Sequence, residues 1–180
     1  MNTDTDTDTI VATLAAKDGV RDALLRYCRG VDRLDEELLR TAYHPDAIDD
    51  HGVFVGPADE FIVWILPLLR DNYVSTSHVL SNQLVEVDGD RAWAETYYTA
   101  VQVHDRTGVR VEERVTGRYL DDFERRDGEW RILLHRVVVD SQNSSEVRPW
   151  AGASDLTSIT RGRRDRDDAS YDRLGQTGSS

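Results

Sequence analysis

The sequence has little of several things, and each scarcity excludes a class of protein. Among 180 residues there is one cysteine, Cys28, which excludes an internal disulfide and a zinc site built from several cysteines. No run of about 18 apolar residues occurs, so no membrane-spanning helix is expected. The first nine residues are polar and acidic, unlike a secretory signal peptide, and this favours a cytoplasmic protein.

Basic residues are also scarce relative to acidic ones. Lysine and arginine number 22 against 34 aspartates and glutamates, and the formal net charge is −12. Residues 1–16 contribute −3 and residues 141–180 are balanced, so the body between them carries −9. An acidic body repels phosphate groups, and neither nucleic acid nor an anionic membrane is an expected partner. A small, weakly polar molecule fits this charge better.

Signatures of cofactor binding are missing as well. The sequence has no P-loop, no dinucleotide-binding glycine pattern and no G-x-S-x-G, so no cofactor is expected. The segment His44–His51 holds two histidines and three aspartates, which resembles a metal site in composition. Its spacing matches no recognised ligand pattern, and an Asp-rich turn is the favoured interpretation over a metal site. Asp50 and His51 could still line the mouth of a pocket.

Composition divides the chain into three segments. Residues 1–16 contain a Thr-Asp repeat that cannot bury apolar surface, and we expect a disordered acidic leader. Residues 17–140 form the compact domain. Residues 141–180 form a C-terminal arm that we expect to be largely disordered after about residue 160, or to order only on a partner.

Within the body, helical patterns precede strand patterns. Apolar residues at helical spacing predict helices from Asp18, over 35–43 and over about 58–71. Long extended segments follow at 74–87, 92–104, 109–124 and 130–140, separated by Gly-containing turns. Helices followed by antiparallel strands indicate an α+β fold, with the helices on one face of a curved sheet. Such a fold leaves room for a cavity between its layers.

Two residues are candidates for acid–base chemistry. His78 lies in the first long strand, where alternation places it on one face with Thr76 and Leu80. A histidine that faces a cavity can act as a general base, and a carboxylate such as Asp32 would orient it. From the residues alone, a buried structural histidine and a solvated capping aspartate remain the simpler interpretation.

Arg136 is a third candidate, on the last strand. Strict alternation places it with Trp130, Ile132 and Leu134 on an otherwise apolar face. A buried arginine needs a partner, which is either a carboxylate in a structural ion pair or an oxygen atom of a ligand. The two interpretations are equally supported.

Taken together, four segments resemble the SnoaL-like branch of the nuclear transport factor 2 superfamily: Arg26–Asp32, Tyr43–Gly52, Ser77–Asn82 and Gly128–Arg136. The resemblance covers about residues 17–140. It implies a conical α+β barrel, in which a strongly bent sheet and the N-terminal helices enclose a deep pocket. It also implies a homodimer or homotrimer.

Within the superfamily, the sequence is most similar to members of the dehydratase and dehydrochlorinase type, which use an aspartate–histidine dyad. By motif position Asp32 and His78 correspond to that dyad, Tyr27 to a helix residue that contacts the leaving group or carbonyl, and Arg136 to a pocket arginine. Further pocket residues are expected to be Asp50, Phe54, Trp64, Tyr97 and Thr99. A pocket aspartate of the bile-acid dehydratase has no equivalent within 96–102, so the resemblance does not extend to that enzyme's substrate.

The resemblance implies a cofactor-independent lyase, a dehydratase of a hydrophobic hydroxylated carbonyl compound such as a steroid, terpenoid or polyketide. An isomerase or cyclase with the same dyad is the alternative, and a non-catalytic binding module or dioxygenase small subunit is a third. An open pocket with Asp32 and His78 in contact would favour an enzyme. A pocket filled by Phe54, Trp64, Trp93 or Tyr97 would favour a non-catalytic role.

Overall fold

The computed structural model of the chain describes residues 3–148 and 159–172. The helices are α1 (Thr3–Arg33), α2 (Glu36–Ala42) and α3 (Ala58–Asn72). The strands are β1 (Tyr43–Asp50), β2 (Val55–Pro57), β3 (Ser75–Asp88), β4 (Arg91–Arg106), β5 (Val109–Arg126) and β6 (Glu129–Glu146). A short 3₁₀ turn spans Ala169–Tyr171. The predicted α+β class is therefore confirmed.

The strands form one curved, unclosed sheet in the order β2-β1-β6-β5-β4-β3. Strands β3 to β6 are consecutive antiparallel neighbours, and β1 joins β6 in parallel. The turns between the long strands contain Gly89, Gly108 and Gly128 with positive φ, a conformation that glycine adopts without a steric penalty. Helices α1 and α3 pack against the sheet, and the buried apolar residues lie between these layers.

A bulge in β6 changes which side chains face the helices. Phe123 pairs with Ile132 and Asp122 pairs with Leu134, so Leu133 is an extra residue without a partner position on β5. Because side chains alternate with a period of two, one extra residue reverses the faces of the residues that follow, here as far as Val139, where a second irregularity leaves Asp140 without a partner position on β5. The predicted grouping of Trp130 and Ile132 with Arg136 is therefore wrong.

The N-terminal segment is more regular than predicted. Helix α1 begins at Thr3, so it runs through most of the segment expected to be a disordered leader. From Asp6 to Ala15 the helix is exposed, and burial begins at Ala16. Extending a helix costs far less than starting one, so the packed part of α1 explains why exposed turns precede it.

The C-terminal segment 159–172 also differs from the expectation of disorder after about residue 160. It lies against the end of α1 and the start of α2, where the Tyr171 hydroxyl donates to Asp35 at 2.8 Å and Arg166 pairs with Glu37 at 2.8 Å. Asp168 is buried and accepts the backbone N–H of Arg163 at 2.7 Å. Hydrogen bonds and ion pairs with α1 and α2 of the same chain therefore hold this segment in place, which its charged composition alone did not indicate.

Candidate active site

A cavity of about 230 Å³ lies between α1, α3 and the inner face of the sheet. Its wall is mainly apolar and aromatic, and it contains Tyr27, Val31, His51, Val53, Phe61, Trp64, Ile65, Leu69, His78, Tyr98, Ala100, Gln102, Val115, Tyr119, Val137 and Val139. Among the described residues, no lysine, arginine, aspartate or glutamate lines this wall. An apolar chamber with a few polar groups is the usual form of a small-molecule site.

His78, on one wall of the cavity, is paired with an aspartate that lies behind it. Asp32 lies in the last turn of α1 and His78 lies in β3, and His78 Nδ1 is 2.7 Å from Asp32 Oδ1. The backbone N–H of His78 also donates to Asp32 Oδ2 at 2.8 Å. An ionised carboxylate only accepts hydrogen bonds, so Nδ1 carries the proton and Nε2 keeps a free lone pair. Because His78 lines the cavity and its Nε2 is unprotonated, its position is suitable for a general base.

The charge state of Asp32 suits this arrangement. Burial raises the pKa of its carboxyl, but the hydrogen bonds and the charge of His78 outweigh burial and hold that pKa below its ordinary value. The carboxylate is therefore ionised at neutral pH, where it orients the imidazole and stabilises the imidazolium that forms after proton abstraction.

Arg164 supports the turn that carries Asp32. Its guanidinium donates to the carbonyl of Asp32 at 3.3 Å, to that of Leu69 at 3.0 Å and to that of Tyr73 at 2.8 Å. These carbonyls belong to the end of α1 and to the end of α3 with the residue that follows it. The C-terminal segment thus ties two helix ends together directly behind the pair.

A second pair lies on another wall, near the end of β1. His51 Nδ1 is 2.5 Å from Asp49 Oδ1, and Tyr43 donates to Asp49 Oδ2 at 2.7 Å. His51 Nε2 lies 3.3 Å from the hydroxyl of Tyr27. His51 lines the cavity, in keeping with its expected place at a pocket mouth.

A third pair lies beneath the cavity. His135 Nδ1 is 2.7 Å from Asp121 Oδ1, and both side chains are fully buried. The ring of His135 packs 4.5 Å from that of Tyr27 and 4.6 Å from that of Tyr119, between their centroids. His135 faces inward because of the Leu133 bulge, which a strict alternation argument does not reveal.

The same bulge removes Arg136 from the cavity. Its side chain is 52% exposed and pairs with Asp50 at 3.0 Å on the outer side of the sheet. The predicted pocket positions of Arg136 and Asp50 are therefore wrong, and the structural ion pair is the interpretation that holds.

The other predicted pocket residues divide by strand face. Trp64 lines the cavity, and Phe54 stacks on it with ring centroids 5.4 Å apart. Tyr97 and Thr99 belong to the outer face of β4, since the buried residues of this strand are the even-numbered ones, and their predicted pocket positions are wrong. Tyr98 and Ala100 line the cavity instead. The small residues at even positions of β4, such as Ala92, Ala94 and Ala100, were the signal in the sequence that these positions face the helices.

The cavity is open, which the sequence argument named as the feature favouring an enzyme. Trp93 and Tyr97, two of the side chains considered as plugs, lie on the outer, more exposed face of β4. Residues 3–148 and 159–172 contain no group of three or more His, Cys, Asp or Glu side chains placed to hold a metal. Within the same residues, no helix has the length and apolar character needed to cross a membrane.

The sequence profile of the SnoaL-like domain matches residues 12–136, well over half of the chain. The chain belongs to the SnoaL-like family. No curated protein gives a significant sequence match to this SnoaL-like protein.

Solved structures agree on the fold of this SnoaL-like protein. A scytalone dehydratase-like protein from Novosphingobium aromaticivorans is 18% identical with a TM-score of 0.67, and the alignment covers 82% of this chain and 99% of that one. The hexachlorocyclohexane dehydrochlorinase LinA-type3 from Novosphingobium barchaimii is 17% identical with a TM-score of 0.64, covering 79% and 95%. A protein of unknown function from Nostoc punctiforme with a cystatin-like fold is 19% identical with a TM-score of 0.58, covering 69% and 90%. At these identities the likeness concerns the fold.

Proposed function

We propose that this SnoaL-like protein is a cofactor-independent lyase that eliminates water from a hydrophobic hydroxylated carbonyl compound. The observation that carries the proposal is the contact between Asp32 and His78 at 2.7 Å, made by a histidine that lines an apolar cavity. A base held in one orientation, with an unprotonated nitrogen beside a mainly apolar cavity, is suited to abstracting a proton from carbon. Two fold neighbours carry the names of elimination catalysts, which is consistent with the proposal.

The cavity narrows the class of substrate. At about 230 Å³ it is smaller than the ~300–1,000 Å³ of common ligand pockets, which favours a compound of one or two rings over a steroid. Because no lysine, arginine, aspartate or glutamate among the described residues lines the wall, a neutral substrate is favoured over an acid or a phosphate.

In the proposed reaction, Nε2 of His78 takes the proton from the carbon next to the carbonyl. The electron pair of that C–H bond forms a double bond, and the bond from the neighbouring carbon to its hydroxyl group breaks. Tyr27 donates a hydrogen bond to the carbonyl or to the departing hydroxyl. Gln102 offers a second donor to developing negative charge, a role that the sequence argument assigned to Arg136.

Isomerisation and cyclisation also begin with proton abstraction, so the same pair could catalyse them. A binding module would need the cavity but not the oriented base. The predicted homodimer or homotrimer and the cytoplasmic location stay predictions, as does a small hydrophobic ligand as the main partner.

The test uses a panel of neutral β-hydroxy ketones with one or two rings, incubated with the protein in D₂O. Loss of water and incorporation of deuterium are followed by mass spectrometry for the wild type, His78→Gln, Asp32→Asn and His44→Gln. His44 is a matched control because it is a buried histidine whose Nε2 contacts the Glu124 carbonyl at 2.8 Å, outside the cavity.

Dehydration that disappears in His78→Gln and Asp32→Asn but persists in His44→Gln is the expected result. Deuterium incorporation without loss of water would replace the lyase by an isomerase. Dehydration that survives in His78→Gln would overturn the proposed base, and binding without dehydration or exchange would favour a binding module.

A further inference from the structure

A chain of four side chains runs from the cavity wall into the core. It begins at the Tyr27 hydroxyl, which lies 3.3 Å from His51 Nε2. It continues from His51 Nδ1 to Asp49 Oδ1 at 2.5 Å, and Tyr43 donates to the other oxygen of Asp49 at 2.7 Å. Both Tyr27 and His51 line the cavity, whereas Asp49 is fully buried. The proposed abstraction of a proton by His78 does not use this chain.

The directions of the hydrogen bonds follow from what each group can donate. Asp49 as a carboxylate accepts from Tyr43 and from His51, so the proton of neutral His51 sits on Nδ1. Nε2 then has only a lone pair, and Tyr27 donates its hydroxyl proton to it. In this state the Tyr27 oxygen can accept a hydrogen bond from a ligand but has no proton left to donate.

Protonation of His51 reverses the outer bond. An imidazolium carries a proton on Nε2 as well, and it donates that proton to the oxygen of Tyr27. The hydroxyl proton of Tyr27 is then free to turn toward a ligand in the cavity. The protonation state of His51 therefore decides whether Tyr27 is an acceptor or a donor.

We propose that His51 is a positioning residue whose protonation turns Tyr27 into the proton donor of the cavity, on a wall separate from the base His78. The inference rests on the proposed function for its chemical purpose, since an elimination needs a proton for the departing hydroxyl. Its geometry stands without that function.

Several elements contribute groups that face His51 and set its protonation. They are Asp49 on β1, Tyr27 on α1, His78 on β3 and His135 on β6, together with the Phe61 ring of α3 stacked at 4.5 Å. Burial lowers the pKa of His51 below its ordinary value, and Asp49 only partly offsets this effect. Burial, reinforced by Asp49, raises the pKa of Tyr27 well above its ordinary value, so Tyr27 keeps its proton until one replaces it.

The proton balance of a turnover is complete with these groups. The C–H proton moves to His78, the Tyr27 proton joins the leaving hydroxyl to form water, and the Nε2 proton of His51 passes to Tyr27. The reaction ends with His78 protonated and His51 neutral, so His78, whose side chain is 10% exposed and lines the cavity, must release its proton to solvent before the next turnover. The His51 side chain is 21% exposed, so solvent can restore its proton.

The experiment measures ligand binding, so it does not depend on finding a substrate. Cyclohexanone is the probe, because its carbonyl only accepts hydrogen bonds. Its dissociation constant is measured by NMR titration across the pH range in which the ring nitrogens of His51 titrate, and those nitrogens are followed by ¹⁵N shifts assigned through their loss in His51→Gln. We expect about fivefold tighter binding on the acid side, the value of one hydrogen bond. By linkage, cyclohexanone should raise the pKa of His51.

Variants separate His51 from the other histidines. The pH dependence should persist in His78→Gln and in His44→Gln and should disappear in His51→Gln. Tyr27→Phe is the second variant, since it keeps the pair of His51 with Asp49 but removes the donor, and its affinity should be low and independent of pH while His51 still titrates.

A dependence that disappears in His78→Gln and survives in His51→Gln would overturn the inference, as would pH-independent binding, or no binding, in the wild type. Failure of the dehydration panel with the expected binding results would reject the lyase alone. Dehydration by a wild type that binds cyclohexanone equally at all pH values would reject this inference alone.

Discussion

The pairs Asp32–His78 and Asp121–His135 consist of the same two residue types at the same hydrogen-bond distance, but only the first pair lies beside the cavity. In both, the Nδ1 to Oδ1 distance is 2.7 Å. His78 lines the cavity, and the side chains of its pair are 10% and 13% exposed, whereas the side chains of the other pair are wholly buried. An aspartate–histidine contact is therefore not enough to indicate a catalytic site, because access to a ligand distinguishes the two.

Their electrostatics differ for the same reason. The bonds from His78 keep the pKa of Asp32 low despite burial, which leaves an ionised carboxylate beside the cavity. Complete burial raises the pKa of Asp121, and the neighbouring carboxylates Asp121 and Asp49 raise that of His135 in spite of burial. The buried pair therefore keeps its proton to a higher pH than the same two groups would in solvent. It is suited to holding β5 against β6 and to supporting the ring of Tyr27.

The largest expected effect is on catalysis. In Asp32→Asn the amide can no longer stabilise the imidazolium of His78, so kcat on a substrate from the β-hydroxy ketone panel should fall about 10²–10⁴-fold. The free energy of unfolding, measured by urea denaturation, should fall much less in Asp32→Asn than in Asp121→Asn, the matching variant of the buried pair. A loss of stability equal to that of the buried pair would contradict the comparison.

Removing the buried carboxylate should mainly cost stability. Asp121→Asn leaves His135 without its charged partner in the core, and we expect a loss of about 3 kcal/mol in the free energy of unfolding. Urea denaturation measures it, with the exposed neighbour Asp122→Asn as the control. An unchanged midpoint would mean that the buried pair contributes nothing to the fold.

The pairs should also respond to pH in opposite directions. The pKa of Asp32 is lowered in the folded state, so its contribution to stability is present above about 3.8 and is lost as the pH falls through the folded value. The pKa values of Asp121 and His135 are raised, so the contribution of His135 is full below about 6.5 and is lost as the pH rises through its folded value. Across pH, the acid-side slope of the unfolding free energy should become smaller in Asp32→Asn, and the alkaline-side slope should become smaller in Asp121→Asn.

Arg164 supports only the pair at the cavity, so its effect should be smaller. Arg164→Gln removes charge-assisted bonds to three carbonyls, and about 1–2 kcal/mol of unfolding free energy should be lost because the site is only partly buried. The exposed Arg161→Gln is the control. If kcat falls as well while KM is unchanged, Arg164 positions Asp32 in addition to stabilising the fold.

The smallest effect is expected at Arg136. Its ion pair with Asp50 is exposed, and Arg136→Gln should change stability by less than about 0.5 kcal/mol and leave turnover of a panel substrate unchanged. A large fall in kcat would mean that this side chain enters the cavity during the reaction, against the position described for it.

Much of the fold could be predicted because it depends on local patterns. Helical spacing, the turns at Gly89 and Gly128, and the order of helices before strands lead to the α+β class. The position of Asp32 near a helix end and the face of His78 on β3 also follow from local periodicity. Their catalytic roles stay predictions. The position of Arg136 could not be predicted correctly, because the bulge at Leu133 depends on the pairing of β6 with β5. The faces of Tyr97 and Thr99 were predicted wrongly although the even positions of β4 carried a signal.

The amino-acid sequence by itself determined the elements, the acidic body and the family, because each is written in spacing and composition along the chain. Only the tertiary structure decided which histidines meet which aspartates and which of these pairs a ligand can reach. Such contacts join residues up to 46 positions apart. One unpaired residue at Leu133 was sufficient to bring His135 into the core and turn Arg136 out, since side chains on a strand alternate between its two faces.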